Sequence, residues 1–376
     1  MSVWITETEP AADGIRLAVK DLFDTAGVRT TYGSPIFADH IPEESAAAVT
    51  ALEAAGYVSV GKANLHEFAW GITSENDHFG WVPNPAAPGR TPGGSSGGNA
   101  AALVTGSADA ALGTDSGGSI RIPAACCGIT GFKPTHGLVS LEGCWPLAPS
   151  FDHAGPMARD VDGCERMMQA LAPGFAAASE PSLGDLRVGL AWLSEADPLV
   201  RARVEEAAAR FGVVEPVALP FPEDTYPQFA FEAAGSHREL YAAQREYYSE
   251  NLRAKLDLAV LLSEDDAAGA ARARGRYSDQ VAEATKGFDL LVTPTLEMVA
   301  PASGIGDLAL RGRMIRLTYP FNATGAPALA LPAGPAEDGL PASVQLVGRP
   351  GDDAFVLAAG RALEATLNHP KGGLTP

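Results

Sequence analysis

Basic residues are scarce in this sequence of 376 amino acids. Lysine and arginine together number 27 against 46 aspartates and glutamates, which gives a formal net charge of −19. Lysine is rarer than arginine and occurs at six positions. A surface of this charge repels phosphate backbones, so the composition argues against direct binding of nucleic acid.

Long apolar runs are missing as well. No 18 consecutive apolar residues occur, so we expect no membrane-spanning segment. The first residues, MSVWITETEPAADG, are acidic and contain no apolar stretch, which does not fit a secretory signal. Together these absences predict a cytoplasmic protein.

Cysteine is infrequent and histidine is dispersed. The four cysteines, at 126, 127, 144 and 164, form no CxxC pair and are too few for a disulfide framework in so long a chain. We expect them to be free, buried thiols. The seven histidines include no HExxH motif, so the sequence supports neither a structural nor a catalytic metal site.

Strand and helix patterns alternate along the chain, which predicts an α/β fold with a large, mixed, twisted central sheet covered by helices on both faces. The length alone suggests two domains. The best candidate boundary, 172–184, is only a modest Ala/Pro stretch, so we expect one domain over 1–376. The predicted strands are 15–20, 57–60, 108–113, 187–192, 290–293, 328–331 and 343–347. The predicted helices are 45–55, 99–105, 123–127, 199–211, most of 228–285, and 353–367.

Two Gly/Ser loops, PGGSSGG (92–98) and GTDSGGSIR (113–121), are the most informative part of the sequence. Each precedes a helical pattern, and the second also follows a predicted strand. Glycines allow the backbone to approach closely, and successive N–H groups at a helix start can hold an anion or an oxyanion. The loops therefore predict a site of nucleophilic or anion-binding chemistry.

Three simpler interpretations of short motifs fit poorly. The loops contain neither GxxxxGK[ST] nor GxGxxG, which argues against nucleotide binding. Residues 93–97 match G-x-S-x-G, but their Gly-rich surroundings are a poor nucleophile elbow. Ser59 and Lys62 match S-x-x-K, but they lie in an apolar strand and lack the SDN and KTG companions of that motif.

A serine nucleophile with a lysine base is the remaining interpretation. Lys20 ends the apolar strand IRLAVK, and burial would lower its pKa and provide a neutral amine as a base. The alternative is a surface lysine that pairs with the adjacent Asp21. The local sequence leaves both possibilities open.

Seven segments, in order along nearly the whole chain, resemble the amidase signature family. The long Gly/Ser stretch is much more specific than an isolated G-x-S-x-G. The matching segments are AVKDLFDTAG (18–27), TPGGSSGGNAAALVTG (91–106), ALGTDSGGSIRIPAACCGITGFKPTHGLVS (111–140), FDHAGPMARD (151–160), LLVTPT (290–295), NATGAPALALPAG (322–334) and LPASVQLVGRPGDD (340–353).

The resemblance implies a Ser–Ser–Lys catalytic triad. Lys20 matches the family's base, Ser95 the bridging serine at a cis peptide bond, and Ser119 the nucleophile that becomes acylated. The step of 24 residues between the two serines fits the family and favours Ser95 over Ser96. No metal or organic cofactor is needed for this chemistry.

The resemblance also assigns roles around the nucleophile. The backbone N–H groups of Ser116, Gly117, Gly118 and Ser119 lie where an oxyanion would form. A second set is expected to support the site rather than to take part in the chemistry. That set is Thr114, close to Ser95 or Lys20, with Asp115 and Arg121 as an ion pair that orients the loop.

The segment HEFAWGITSENDHFGW (66–81) matches the family segment that lines the acyl pocket, and Ala69 and Trp70 are the predicted wall residues. Phe68, Trp145 and Phe151 are candidate neighbours or ordinary core aromatics. An aromatic pocket favours an apolar or aryl amide as the substrate. A Ser–His–Asp arrangement of His136 with Asp115 is an alternative that the family pattern disfavours.

The predicted function is hydrolysis of small-molecule amides by a free-standing amidase, as a monomer or a homodimer, with esters, ureas and carbamates as further candidate substrates. The first alternative is the glutaminase (A) subunit of a tRNA-dependent amidotransferase. The short stretch before Lys20 and the short middle of the chain favour the free-standing enzyme. The second alternative, a catalytically silent binding protein, is disfavoured because Lys20, Ser95 and Ser119 are all present.

Overall fold

A computed structural model describes residues 1–10 and 12–367, and eleven strands among them form one mixed sheet. In chain order the strands are β1 (Trp4–Glu7), β2 (Ile15–Lys20), β3 (Tyr57–Ala63), β4 (Ala110–Thr114), β5 (Thr130–Lys133), β6 (Ala154–Ala158), β7 (Arg187–Leu190), β8 (Val213–Pro216), β9 (Leu290–Pro294), β10 (Ala328–Pro335) and β11 (Pro341–Val347). Their spatial order is β1-β3-β2-β4-β6-β5-β10-β11-β9-β7-β8. Parallel pairing is confined to β2 with its neighbours β3 and β4, and to β7 with β8 and β9.

Helices lie on both faces of the sheet. They are α1 (Ala47–Ala54), α2 (Gly97–Thr105), α3 (Arg121–Cys127), α4 (Val161–Leu171), α5 (Pro198–Ala208), α6 (Tyr226–Gln244), α7 (Glu250–Ala259), α8 (Glu264–Ala284), α9 (Asp307–Ile315), α10 (Tyr319–Ala323) and α11 (Asp353–Thr366). Alternate strand residues point to opposite faces. Leu17 and Val19 of β2 pack in a core with α1, α4, α5 and α11, whereas Ala18 between them packs with α2 and α3. The predicted α/β class is confirmed.

The prediction missed four strands: β1, β5, β6 and β8. Between β5 and β6 no helix intervenes, and β10 joins β11 as an antiparallel neighbour, so the simple strand–helix alternation does not hold there. The sequence of β6, AGPMA, contains a glycine and a proline, which are depleted in strands, and all five residues are buried. Pairing with β4 and β5, rather than local propensity, makes it a strand.

Other boundaries differ by a few residues. The predicted strand 108–113 is Ala110–Thr114, and the helix predicted over 123–127 starts at Arg121. The long helical segment 228–285 is divided among α6, α7 and α8. The C-terminal helix ends at Thr366, and no helix in the part of the chain that the structure describes is long and apolar enough to cross a membrane.

The parallel pair β2 and β4 positions the site. The pairing of Val19 with Leu112 brings the carboxyl ends of both strands, Lys20 and Thr114, to the same edge of the sheet. The two Gly/Ser loops lie at this edge, and each leads into a helix, α2 or α3. This topology juxtaposes residues 20, 95 and 114–119 although they are far apart in the sequence.

Candidate active site

Lys20 lies at the end of β2 and its side chain is fully buried. Its ammonium nitrogen Nζ is 2.7 Å from Ser95 Oγ and 2.6 Å from Thr114 Oγ1. The adjacent Asp21 does not pair with it, because the Asp21 carboxylate lies 3.7 Å from Lys62 Nζ. The surface pairing of Lys20 with Asp21 is therefore wrong, and the buried interpretation holds.

Burial is also the main influence on the charge of this amine. Loss of solvation lowers the pKa of Lys20 from the ordinary 10.5 to about 7, although the carboxylates of Asp115 and Asp152 counteract part of the shift. A substantial fraction of the side chain is therefore neutral near pH 7. A neutral amine at hydrogen-bond distance from a serine hydroxyl can accept its proton.

The loop that carries Ser95 contacts the loop that carries Ser119. The Gly94–Ser95 peptide bond is cis, as the family resemblance implied. The N–H of Ser96 donates to the carbonyl of Ser119 at 3.3 Å, and the Ser96 hydroxyl donates to the carbonyl of Thr114, also at 3.3 Å. These bonds hold the predicted bridging serine and the predicted nucleophile on adjacent loops, with Ser119 slightly exposed.

The backbone of the 116–119 loop presents N–H groups at the same place. Those of Ser116, Gly117 and Ser119 donate to no acceptor among the described residues, whereas the N–H of Gly118 donates to Asp115 Oδ1 at 2.8 Å. Three of the four predicted oxyanion donors are thus available to a ligand in this conformation. Gly118 has φ +130°, and a Cβ there would lie 2.2 Å from Thr318 Oγ1, so glycine is required.

Asp115 and Arg121 form a fully buried ion pair, 2.9 Å from Arg121 Nη2 to Asp115 Oδ1. Burial alone would raise the pKa of the Asp115 carboxyl, but the charge and hydrogen bonds of Arg121 outweigh it and hold this pKa well below its usual range. The remaining donors of Arg121 reach distant parts of the chain. Their acceptors are the Thr318 carbonyl, Asn322 Oδ1 and Gln345 Oε1.

A cavity of about 350 Å³ opens beside Ser119. The predicted residues Ala69, Trp70, Ser116 and Gly117 lie on its wall together with Ser119. Half of the wall was not predicted, because it comes from the C-terminal part of the chain and from an aromatic pair in the first turn of α6. These additional residues are Gly71, Ile72, Leu147, Tyr226, Phe229, Arg311, Ile315 and Tyr319.

The three further aromatic candidates divide into different roles. Phe68 packs in an aromatic core, with its ring centroid 5.1 Å from that of Trp145 and 5.5 Å from that of Tyr248. Trp145 lines a separate cavity, and Phe151 stacks behind the wall residue Tyr319 at 5.8 Å. Phe68, Trp145 and Phe151 therefore do not line the cavity beside Ser119.

A second buried ion pair supports this wall from behind. Lys255 Nζ lies 2.5 Å from Asp307 Oδ2 and also donates to the carbonyl of Trp70 at 2.5 Å. Asp307 Oδ1 accepts the N–H of Ile72 at 2.6 Å. The pair thus fixes the backbone on both sides of Gly71. Only the three-dimensional structure reveals it, because α7 and α9 carry no recognisable motif.

Other candidates lie outside the site. His136 is exposed, its ring Nε2 is 3.1 Å from the Pro149 carbonyl, and Asp115 is occupied by Arg121, so the Ser–His–Asp alternative is wrong. Cys126, Cys127 and Cys164 are buried free thiols, whereas Cys144 is half-buried, contrary to expectation. No group of His, Cys, Asp or Glu side chains within the described ranges could hold a metal ion.

Comparison with known proteins agrees with this geometry. The amidase family model matches residues 4–357. The chain belongs to the amidase family. It is therefore a hydrolase that acts on amide bonds, and its mixed sheet with flanking helices is the fold of that family.

Several relatives of the amidase are similar over most of its length. It is 35% identical to AtzE, a subunit of the 1-carboxybiuret hydrolase of Pseudomonas sp. (strain ADP), in an alignment that covers 96% of this chain and 85% of the relative. It is also 35% identical to the A-type subunit of the glutamyl-tRNA(Gln) amidotransferase of Symbiobacterium thermophilum, with 97% and 85% covered. The solved structure of the corresponding protein from Thermotoga maritima superposes with a TM-score of 0.85 at 31% identity, covering 96% of this chain and 87% of that one.

Proposed function

We propose that this amidase hydrolyses the C–N bond of a small, apolar or aryl carboxylic amide through an acyl-enzyme on Ser119. The product on the nitrogen side is ammonia or an amine. One observation carries the proposal: the buried amine of Lys20, 2.7 Å from Ser95 Oγ, lies beside the loop that exposes Ser119 to a cavity.

The proposed reaction is a relay of protons between three side chains. Neutral Lys20 accepts the proton of Ser95, and Ser95 accepts that of Ser119, whose Oγ attacks the amide carbonyl carbon. The electron pair of the C=O bond moves onto oxygen, and the N–H groups of Ser116, Gly117 and Ser119 stabilise that oxyanion. Ser95 then donates a proton to the departing nitrogen, and water hydrolyses the ester on Ser119.

The supporting residues have separate roles in this scheme. Thr114 accepts a hydrogen bond from Lys20 and orients the amine, and the Asp115–Arg121 pair keeps the Ser116–Ser119 backbone in place. Ala69 and Trp70 form the wall beside the oxyanion site. The aromatic rings of Trp70, Phe229 and Tyr319 favour an apolar or aryl group next to the scissile bond.

The glutaminase subunit of an amidotransferase is the second candidate function. It is favoured by the similarity to the amidotransferase relatives, which equals the similarity to AtzE. We also propose that residues 1–376 form one domain, which the single sheet from Trp4 to Val347 supports. The monomeric or homodimeric state and the cytoplasmic location stay predictions.

The test is product release by the purified protein on a panel of amides, esters, ureas and carbamates that includes benzamide and glutamine. We expect ammonia or amine from small aryl and apolar amides without any partner protein. Ser119→Ala should remove this turnover and also the labelling of the protein by a serine-reactive fluorophosphonate. Labelling without turnover on any substrate except glutamine in the presence of partner subunits would favour the second function, and the absence of labelling would contradict both.

A further inference from the structure

One cationic side chain lines the cavity beside Ser119. Arg311, on α9, shares the cavity wall with Trp70, Phe229 and Tyr319, and no aspartate or glutamate is part of that wall. The side chain is half-buried. A guanidinium at this place gives a largely aromatic pocket a positive charge.

Arg311 also lacks an anionic partner. Its Nη2 donates to the Tyr226 hydroxyl at 2.8 Å, and its guanidinium carbon lies 5.4 Å from the centre of the Tyr226 ring, but no described carboxylate forms an ion pair with it. The acid one turn earlier on α9, Asp307, is bound to Lys255 at 2.5 Å. The other arginine of this helix differs, since Arg313 pairs with Glu297 at 2.9 Å.

The position of Arg311 indicates the end of the pocket that it serves. Its partner Tyr226 is 37% exposed, whereas Ser119 at the other side of the cavity is only 7% exposed. The guanidinium therefore lies toward the mouth, away from the reacting carbonyl. A ligand group that meets Arg311 is remote from the bond that is cleaved.

We propose that Arg311 determines specificity for amides that carry a carboxylate at the end remote from the scissile bond. The planar guanidinium retains N–H donors beyond the one that binds Tyr226, and it matches the two oxygens of a carboxylate. Because the protein has a formal charge of −19, its overall field does not attract an anion, and a local cation must supply the attraction. The substrate class is thus an apolar or aryl amide with a distal carboxylate.

This inference rests on the proposed hydrolase function and is tested by three matched primary amides. They are benzamide substituted at position 4 with carboxylate, methyl or aminomethyl. We expect kcat/KM for the carboxylate to exceed that for the methyl compound by about tenfold to a hundredfold, with the difference in KM. The aminomethyl compound should be the poorest substrate.

The variant Arg311→Gln should bring the carboxylate-to-methyl ratio close to one, and Arg311→Lys should retain part of the preference. Arg313→Gln is the matched control, because Arg313 lies on the same helix, is paired with acids at the surface and does not line the cavity. We expect it to leave the ratio unchanged. A preference for the methyl or aminomethyl compound, or an equal loss on all three in Arg311→Gln, would overturn the proposal.

A second measurement applies if none of the three amides is hydrolysed. The 4-carboxylate compound should then slow fluorophosphonate labelling of Ser119 at a lower concentration than the methyl compound, and Arg311→Gln should abolish that difference. Equal protection by both compounds would overturn the role of Arg311 while leaving the serine hydrolase function intact. Failure of the label to react at Ser119 would contradict the proposed function itself.

Discussion

Lys20 and Lys62 lie near the carboxyl ends of two neighbouring parallel strands, β2 and β3, and both side chains are fully buried. Their partners are different. Lys20 Nζ contacts two neutral hydroxyls, those of Ser95 and Thr114, whereas Lys62 Nζ has the Asp21 carboxylate at 3.7 Å together with the Phe23 carbonyl and the Thr30 hydroxyl.

The chemical consequence follows from those partners. Burial lowers the pKa of both lysines, to about 7 for Lys20 and to about 8 for Lys62, and the Asp21 charge opposes the shift at Lys62. A buried lysine among hydroxyls is thus available as a base, whereas one beside a carboxylate is a structural cation. The same comparison explains why Ser59 and Lys62 match S-x-x-K without forming a catalytic pair.

The largest expected effect is on activity at the first lysine. Lys20→Met should lower kcat by about a thousandfold or more, because no other described amine contacts Ser95. Ammonia release from the best substrate of the amide panel measures it. The loss of stability should be smaller than in Lys62→Met, since no carboxylate is left without its partner. Near-normal turnover would show that Lys20 is not the base.

The converse effect, on stability, is expected at the second lysine. Lys62→Met leaves Asp21 buried without its cation and should lower the free energy of unfolding by about 3–5 kcal/mol, measured by denaturant titration. In the double variant with Asp21→Asn, the loss should be smaller than in Lys62→Met alone. If Lys62→Met and Lys20→Met are equally stable, the distinction between the two sites is incorrect.

The pH dependence separates the two lysines further. Below pH 7, Lys20 is increasingly protonated, so kcat/KM should fall about tenfold per pH unit below a midpoint near 7. Between pH 7 and 10.5 the unfolded chain holds a proton that folded Lys20 has lost, so the free energy of unfolding relative to Lys20→Met should rise with pH. Lys62→Arg should retain the activity midpoint, and a midpoint that moves in that variant would contradict the assignment.

The smallest effect is expected at Thr114, the second hydroxyl partner of Lys20. Thr114→Val removes the acceptor 2.6 Å from the amine and should lower kcat about tenfold while KM changes little. Thr114→Ser retains the hydroxyl and is the control. A change confined to KM would indicate that Thr114 shapes the pocket and does not orient the base.

The sequence predicted the parts of this site that are carried by local motifs. The Gly/Ser loops and the apolar strand before Lys20 are short, contiguous patterns, and the structure brings their serines and the lysine together. The Arg121 acceptors Asn322 and Gln345 could not be foreseen, because they lie more than 200 residues beyond it and belong to no motif of their own.

The cavity wall was harder to predict than the loops for a related reason. Tyr226 and Phe229 are three residues apart at the start of α6, a spacing that fits any buried helix face equally well. Arg311 is one of several arginines on a polar segment, and only its position against Tyr226 distinguishes it. Strand β6 likewise depends on its neighbours, since AGPMA has no strand pattern.

The distance in sequence between Arg121 and its anchors has a consequence for biosynthesis. The guanidinium that holds the nucleophile loop reaches Thr318 and Gln345, which are 197 and 224 residues further along the chain. At common rates of translation, the ribosome takes roughly 10–45 s to add 224 residues. A nascent chain therefore carries Lys20, Ser95 and Ser119 long before it can organise the loop that would make Ser119 reactive, so the chain is nearly complete before it can act on any amide in the cell.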